Sequence, residues 1–267
     1  MGLANTPFNY FAFVCHKRKD FDLPTHILEV GTGRVGKSTC ALRLAEVIYK
    51  MRGKDLGMPF LTSKIVWNAY QSFESFKVIK DDYVLGDEGI WLADKRESMQ
   101  YTNIKYSQLI NTMGSNRNIL NTLIQDYDDF DKRIVKKANF LTLNYRRSLA
   151  YLFSKSLNFP IVKSSILNVK KFEDREEILE DLDRAGFELK RLPTYMMKLE
   201  FKEYAENDPF WIEYNRIKKL NQDAVLEEIK KHYAEMSPDQ AQLDSITANI
   251  MNPSIKNDNV ILLKDIH

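Results

Sequence analysis

Short apolar runs alternate with amphipathic stretches along residues 25–146. Runs typical of buried parallel strands occur at Ile27–Val30, Lys64–Trp67, Tyr83–Asp87, Ile119–Gln125 and Phe140–Asn144. Between them, Thr39–Met51 carries apolar residues at helical spacing, and Tyr70–Val78 is also predicted to be helical. Strands that alternate with helices predict an α/β fold, with a mainly parallel sheet of about five strands flanked by helices.

The pattern changes beyond Arg147. Further strands are predicted at Leu149–Phe153, Ser165–Val169 and Met196–Phe201, and helices at Asp174–Ala185 and Pro209–Met236. In the last helix an apolar stripe that includes Trp211 and Tyr214 predicts packing on the core or on a neighbouring subunit, and a nucleic-acid interpretation of its basic residues stays open. The predicted domains are an N-terminal extension at 1–24, a core at 25–150, a mixed α+β C-terminal extension at 151–236 packed on the core, and a polar tail at 237–267.

Composition narrows the classes of protein that fit. A hydrophobic content of 44% over 267 residues is ample for a buried core, and only two cysteines indicate a reducing compartment, the cytoplasm or, for a viral protein, the host cytoplasm. The apolar run Phe8–Cys15 is too short to span a bilayer, so no membrane association is predicted. A net charge of +2 excludes a chain-wide positive field. Any contact with a polyanion must therefore come from a local patch, such as Lys132–Arg147, which contains no acidic residue.

Residues Gly31–Ser38 match the motif G-x-x-x-x-G-K-[ST] in full, directly between a predicted strand and a predicted helix. Backbone N–H groups of such a loop surround phosphates, Lys37 neutralises the β- and γ-oxygens of ATP, and the Ser38 hydroxyl ligates Mg²⁺. A glycine-rich turn that binds nothing is the alternative, which the presence of strand, lysine, hydroxyl and helix together disfavours. The predicted ATP-binding residues are Gly31, Thr32, Gly33, Arg34, Val35, Gly36, Lys37, Ser38 and Thr39.

A second candidate element is the apolar strand that ends in Asp87 and Glu88. Asp87 is predicted to hold Mg²⁺ through its water shell, and Glu88 to polarise the attacking water. The alternative is that both acids simply end a surface strand. The strand Lys64–Trp67 falls between the two motifs, and together with Glu88 it predicts the additional-strand, catalytic-glutamate type of P-loop ATPase. Gln125 is predicted to reach the γ-phosphate, although a glutamine that closes a strand is also compatible with no role.

The order of features from Asp87 to Asn144 resembles the FtsK-HerA superfamily of ring-forming DNA motors, in particular viral and mobile-element genome-packaging ATPases and Zot-like proteins. The residues that carry the resemblance are Asp87–Trp91, a helix at about Asn103–Asn116, Arg117, the strand that ends in Gln125, and Asp131–Ile134 before Ala138-Asn139. With the P-loop they cover roughly half of the chain. No match extends beyond about residue 150.

This resemblance implies a pentameric or hexameric homo-oligomeric ring in which an arginine of one subunit reaches the nucleotide of its neighbour. Arg117 is the first candidate and Arg133 and Arg146 are reserves, while a solvated helix-end arginine is the alternative for Arg117. It also implies DNA contacts, chiefly to phosphates. The predicted DNA-contacting residues are Lys132, Arg133, Lys136 and Lys137, for which a solvated basic face is the alternative.

Three functional hypotheses follow. The leading one is an ATP-driven ring motor that translocates double-stranded DNA in viral or plasmid genome packaging or transfer, with a capsid protein as a further partner. The second keeps the ATPase activity but assigns it a protein client, as in a loader, remodeller or secretion ATPase. The third is a module that uses ATP only to switch its assembly. The presence of Glu88, which is predicted to polarise the attacking water, disfavours this hypothesis.

Overall fold

A computed structural model describes residues 6–31, 33–67, 79–87, 116–125, 132–154 and 195–235. The chain divides into two compact units, Met1–Tyr214 and Asn215–His267. The predicted helix at 70–78, strand at 165–169 and helix at 174–185 lie outside the described residues, as does nearly all of the helix at 103–116. Within the described ranges, every helix is either too short or too polar for a transmembrane segment.

Within the described ranges, seven strands form one mixed sheet in the order β2-β3-β4-β1-β5-β6-β7. The strands are β1 (Thr25–Val30), β2 (Ile65–Val66), β3 (Tyr83–Gly86), β4 (Ile119–Ile124), β5 (Phe140–Arg146), β6 (Leu149–Ser154) and β7 (Tyr195–Glu200). The first five strands in the chain pair in parallel, whereas β6 and β7 add antiparallel strands next to β5. The predicted α/β fold with five parallel strands between residues 25 and 146 is confirmed.

The helices within the described ranges are α1 (Pro7–Arg18), α2 (Lys37–Met51), α3 (Met58–Ser63), α4 (Lys132–Val135) and α5 (Pro209–Glu235). Every residue of β1 and of β4 is buried, as expected for central strands covered on both faces. The buried residues of helix α2 include Leu42, Leu44 and Ile48. The core therefore lies around β1, the strand that leads into the glycine-rich loop.

The lateral order of the strands differs from their order in the chain. The predicted strand Lys64–Trp67 is the two-residue β2, which pairs with β3 and with no other strand of the described residues. The strand that separates β1 from β3 is instead β4, which pairs with both. Position in the chain does not determine lateral position in a parallel sheet, because each crossover can pass over neighbouring strands.

The N-terminal residues contribute a helix that the apolar pattern did not predict. Helix α1 begins after Thr6, whose hydroxyl accepts a hydrogen bond from the Asn9 amide (3.2 Å), and it has proline in its first turn. Its buried residues include Phe8 and Phe11. The Phe11 ring meets Phe140 of β5 edge-on, with centroids 5.2 Å apart. The N-terminal extension is thus packed against the sheet.

One feature of the sheet bears on the predicted domains, and the cysteines are those expected of a reduced protein. The boundary predicted at residue 150 falls within β6, which pairs along its length with β5, so the sheet continues across this position. The two cysteines, Cys15 and Cys40, are both buried free thiols.

Candidate functional site

The glycine-rich loop joins the end of β1 to the start of α2. Arg34 and Gly36 have positive φ angles of 66° and 92°, a region that favours glycine and costs free energy for an arginine. Gly36 precedes the helix without a side-chain hydrogen bond that caps it, so the N–H groups of the first turn are left for another acceptor. The Lys37 ammonium donates to the Gly31 carbonyl (2.6 Å) and closes the loop. This is the geometry of a P-loop.

A close neighbour explains the first glycine of the loop, and the positive φ angle explains the last. A Cβ atom at Gly31 would lie 2.7 Å from the backbone carbonyl oxygen of Asn144 and 2.7 Å from a Val35 methyl group. A Cβ atom at Gly36 would lie 3.6 Å from Cα of Arg147, in the turn between β5 and β6. The P-loop is therefore packed against the carboxyl end of β5.

Replacing Gly31 by alanine is expected to destabilise the protein by about 2 kcal/mol, since the added methyl group overlaps a backbone atom that has little freedom to move. Urea unfolding monitored by circular dichroism measures this change. Gly33→Ala is the matched control, because nothing lies within 4 Å of a Cβ atom built there. Equal stability of the two variants would contradict the close packing of the loop on β5.

Asp87 follows β3 at the same edge of the sheet as the P-loop. Its side chain is 1% exposed, and its backbone N–H donates to the Val66 carbonyl (3.0 Å). One carboxylate oxygen accepts a hydrogen bond from the hydroxyl of Tyr214, in the second turn of α5. Because one strand separates β3 from β1, Asp87 lies about 10 Å from the P-loop strand across the sheet. Glu88 and Thr32 lie outside the described residues.

A buried polar cluster lies directly below the loop. The Glu29 carboxylate, 1% exposed, accepts hydrogen bonds from the side-chain amides of Asn121 (2.8 Å) and Asn144 (2.9 Å). Asn121 also donates to the Tyr83 hydroxyl (2.8 Å), which donates to the Ala41 carbonyl of α2 (3.0 Å). The cluster joins β1, β3, β4, β5 and α2. The sequence patterns did not predict this cluster, although an acid within the apolar run of β1 is a visible signal.

Burial raises the pKa of Glu29 from 4.5 to about 7, against the lowering effects of hydrogen bonds from Asn121, Cys40 and Asn144 and of the Lys37 charge. The same burial, with the nearby Glu29 carboxylate, raises the pKa of the Cys40 thiol. A carboxyl group that titrates near neutral pH thus lies beneath the P-loop.

The other predicted site residues lie at opposite ends of the parallel strands. The carboxyl ends form the edge of the sheet that carries the P-loop, and the amino ends form the opposite edge. Gln125 is exposed and follows β4, whose last residue Ile124 is level with Val30, so it lies at the P-loop edge. Arg146 ends β5 at that edge as well. Arg117 has a φ angle of 55° and precedes β4, at the opposite edge. Six strand residues, or about 20 Å, separate these edges.

The basic run at 132–147 is divided in the same way. Lys136 and Lys137 precede Asn139, whose backbone N–H donates to the His26 carbonyl (2.8 Å) near the amino end of β1. They are therefore remote from the P-loop of their own subunit. The side chains of Lys132 and Arg133 lie outside the described residues.

Oxygen ligands for a magnesium ion are present on both motif elements. Ser38 is half-buried in the first turn of α2, and Asp87 is buried at the end of β3. The described ranges hold no cluster of three or more His, Cys, Asp or Glu side chains suited to a metal. Magnesium bound with a nucleotide takes only one or two protein oxygens, the rest of its shell being water and phosphate. Ser38 and Asp87 therefore fit an ion that arrives with its nucleotide.

No protein-family model and no curated protein sequence matches the chain. Among solved structures, it is similar to a chain of the E. coli MS115-1 HORMA:CdnC:Trip13 complex, with 11% identity, a TM-score of 0.40, and coverage of 51% of this chain and 60% of that one. It is also similar to the genome packaging NTPase B204 from Sulfolobus turreted icosahedral virus 2 in complex with ATP-gammaS (10% identity, TM-score 0.37, coverage 49% and 92%). The FIGL-1 AAA domain matches at 17% identity and a TM-score of 0.37, covering 52% of each chain.

The chain thus spans less than two thirds of the Trip13-complex and FIGL-1 chains. A similarity of this extent does not establish a family. The described residues by themselves define an α/β protein with a P-loop between its central strand and a covering helix.

Proposed function

We propose that the protein is an ATP-hydrolysing motor that translocates double-stranded DNA as a pentameric or hexameric ring, in the packaging or transfer of a viral or plasmid genome. The observation that carries the ATPase part is the P-loop, closed by Lys37, with a buried Asp87 at the same edge of the sheet. The resemblance of residues 87–144 to the FtsK-HerA motors supports the DNA part.

Each residue of the site has a distinct role in this function. Lys37 neutralises the phosphates of ATP, and the N–H groups at the start of α2 donate to their oxygens. Ser38 and, through bound water, Asp87 would hold Mg²⁺, which would spread the negative charge that develops on the phosphates. Glu88 orients and polarises the attacking water, and Gln125 contacts the γ-phosphate.

The position of Arg117 supports an action between subunits. At the edge of the sheet opposite the P-loop, it is too distant to contact the nucleotide of its own chain. An arginine finger supplied by a neighbour needs only to reach across an interface, and it stabilises the transition state in that neighbour's site. Arg146, at the P-loop edge of its own subunit, is the poorer candidate for this role.

The DNA-contacting role of the basic run is supported by its position. Lys136 is exposed and Lys137 half-buried, at the edge that also carries Arg117. Ammonium groups that contact phosphates bind DNA irrespective of its sequence, as a translocating motor requires. Together with Lys132 and Arg133 they provide the contacts that the proposal assigns to DNA.

ATP hydrolysis is expected to rise several-fold when linear double-stranded DNA is added, and the stimulation is expected to fall steeply between about 50 and 200 mM salt, because phosphate contacts release counterions. Phosphate release from the purified protein measures both effects, with a Glu88→Gln variant as the hydrolysis-deficient control. A rate that is the same with and without DNA in every oligomeric state would rule out translocation. Stimulation only by a partner protein would favour the protein-client hypothesis.

A further inference from the structure

Four aromatic rings form a stacked column beside the P-loop helix. The column runs from Tyr204 through Trp211 and Tyr214 to Trp67, with successive ring centroids 5.4, 5.2 and 6.3 Å apart and interplanar angles of 8°, 17° and 29°. The Arg43 guanidinium covers its outer end, 3.7 Å from the centroid of Tyr204. Stacking of this extent restricts each ring to one position.

The column connects the elements that carry both nucleotide motifs. At one end, Arg43 of α2 donates to the carbonyl groups of Lys202 and Glu203 (both 2.9 Å), which precede Tyr204. At the other end, Trp67 directly follows β2, the strand paired with β3. The chain from Lys202 to Tyr214 thus contacts the P-loop helix at one end. At the other end it contacts Trp67, next to β2, which pairs with the strand that precedes Asp87.

Tyr214 contacts a predicted magnesium ligand, Asp87. Its side chain is 1% exposed, like that of Asp87, and its hydroxyl donates to the Asp87 carboxylate. A buried tyrosine hydroxyl needs an acceptor, and a hydrogen bond to an ionised carboxylate is among the stronger ones. Since Trp67 and Trp211 stack on both faces of the Tyr214 ring, the hydroxyl has a defined position.

We propose that Tyr214 is a positioning residue of the magnesium site: its hydroxyl holds the Asp87 carboxylate in the orientation in which it binds the water shell of Mg²⁺. A carboxylate has about four lone-pair positions, so this hydrogen bond is compatible with simultaneous contact to magnesium-bound water. Groups that orient a ligand of a metal in this way have large effects on metal affinity without touching the metal. This role rests on the proposed ATPase function.

A second tyrosine in the column provides a matched control. The Tyr204 hydroxyl is buried and has no hydrogen-bond partner within the described part of the chain. Tyr204→Phe and Tyr214→Phe therefore remove the same atom from the same column, but only the second removes a hydrogen bond to Asp87.

The experiment measures magnesium binding without turnover. Mg²⁺ is titrated into full-length protein saturated with a fluorescent, non-hydrolysable ATP analogue, and binding of the analogue in EDTA is measured separately. In Tyr214→Phe, the Mg²⁺ concentration for the half-maximal fluorescence change is expected to rise about tenfold, with binding in EDTA unchanged. Tyr204→Phe is expected to match the wild type in both measurements. In protein that already carries Asp87→Asn, Tyr214→Phe should no longer change the Mg²⁺ concentration for the half-maximal fluorescence change.

The outcomes separate this role from the function on which it rests. Wild-type protein that binds no analogue, with or without Mg²⁺, would contradict the proposed ATPase. Two results would overturn the positioning role alone. In the first, the wild type responds to Mg²⁺ and Tyr214→Phe needs the same Mg²⁺ concentration as the wild type. In the second, Tyr204→Phe raises the required Mg²⁺ concentration as much as Tyr214→Phe does. If Tyr214→Phe does not fold, Trp211→Leu, which loosens the Tyr214 ring but keeps its hydroxyl, should raise the Mg²⁺ requirement about threefold. A Trp211→Leu protein with an unchanged Mg²⁺ requirement would also overturn the positioning role of Tyr214.

Discussion

Lys37→Ala is expected to weaken ATP binding by at least about a hundredfold, since the ammonium makes charge-assisted hydrogen bonds to phosphate oxygens worth roughly 1.5–3 kcal/mol each. Its removal also opens the loop, because in the structure the same ammonium donates to the Gly31 carbonyl. Hydrolysis should then fall below detection. Titration with a fluorescent ATP analogue measures the affinity, and phosphate release measures the activity.

The same helix provides the control for this prediction. Lys50, at the far end of α2, is 49% exposed and pairs with Glu46 (2.7 Å) on the surface, where such a pair contributes little to stability. Lys50→Ala should therefore bind and hydrolyse ATP like the wild type. A folded Lys37→Ala protein with wild-type affinity for ATP would mean that the loop does not hold the phosphates.

Glu29→Gln is expected to make the protein more stable than the wild type by on the order of 3 kcal/mol at pH 8, with the difference nearly absent at pH 4.5. The Glu29 carboxyl group has a pKa of 4.5 in the unfolded chain and about 7 in the folded one. Between these values the folded state binds more protons, so the contribution of this group to stability falls as the pH rises through the window and is constant above it. Urea unfolding at pH 5, 6, 7 and 8 measures the difference.

The buried cluster accommodates a neutral side chain at this position. The carbonyl oxygens of the Asn121 and Asn144 amides have no hydrogen-bond partner within the described part of the chain. Rotation of either amide lets its oxygen accept a hydrogen bond from a protonated Glu29, or from the side-chain amide that the Glu29→Gln substitution introduces.

His26 is also buried, which lowers its pKa from 6.5 to about 3, and we expect the same shift in both proteins. Its effect therefore cancels in the difference. A difference in stability that does not change with pH would show that the pKa of Glu29 is not raised.

Glu46→Gln serves as the comparison in this pH range. Burial of Glu46 is outweighed by hydrogen bonds from Lys50 and Arg43, so its pKa is lowered. Its stabilising contribution is present above the unfolded pKa and is lost only as the pH falls through the lower folded value. Between pH 5 and 8 the difference between wild type and Glu46→Gln should be constant.

Local patterns were sufficient for the elements that carry the two motifs. The strand before Gly31 and the helix from Lys37 are recognisable because a buried parallel strand is apolar throughout and a covering helix repeats apolar residues at intervals of three and four. The strand before Asp87 follows the same rule. The positions of Gly31 and Gly36 follow from spacing, whereas the close approach of β5 that requires Gly31 to lack a side chain is visible only in three dimensions.

The features that local sequence patterns do not predict depend on contacts between distant segments. Glu29 meets Asn121 and Asn144 across 92 and 115 residues of chain, and Tyr214 meets Asp87 across 127. The apolar stripe of the last helix predicted packing on the core or on a neighbouring subunit, and Tyr214 stacks on Trp67 within the same chain. Periodicity carries no information about which group accepts the hydrogen bond of a buried hydroxyl.

The sequence by itself determined the class of fold, the P-loop and the acid that ends the third strand, because strands, helices and loop motifs are specified by neighbours within a few residues. Only the tertiary structure decided that β4 separates β1 from β3, that Arg117 lies at the edge opposite the P-loop, and that Tyr214 contacts Asp87. Lateral strand order and the partners of buried polar groups are set by the packing of the whole chain, in which burial and hydrogen bonding are satisfied together.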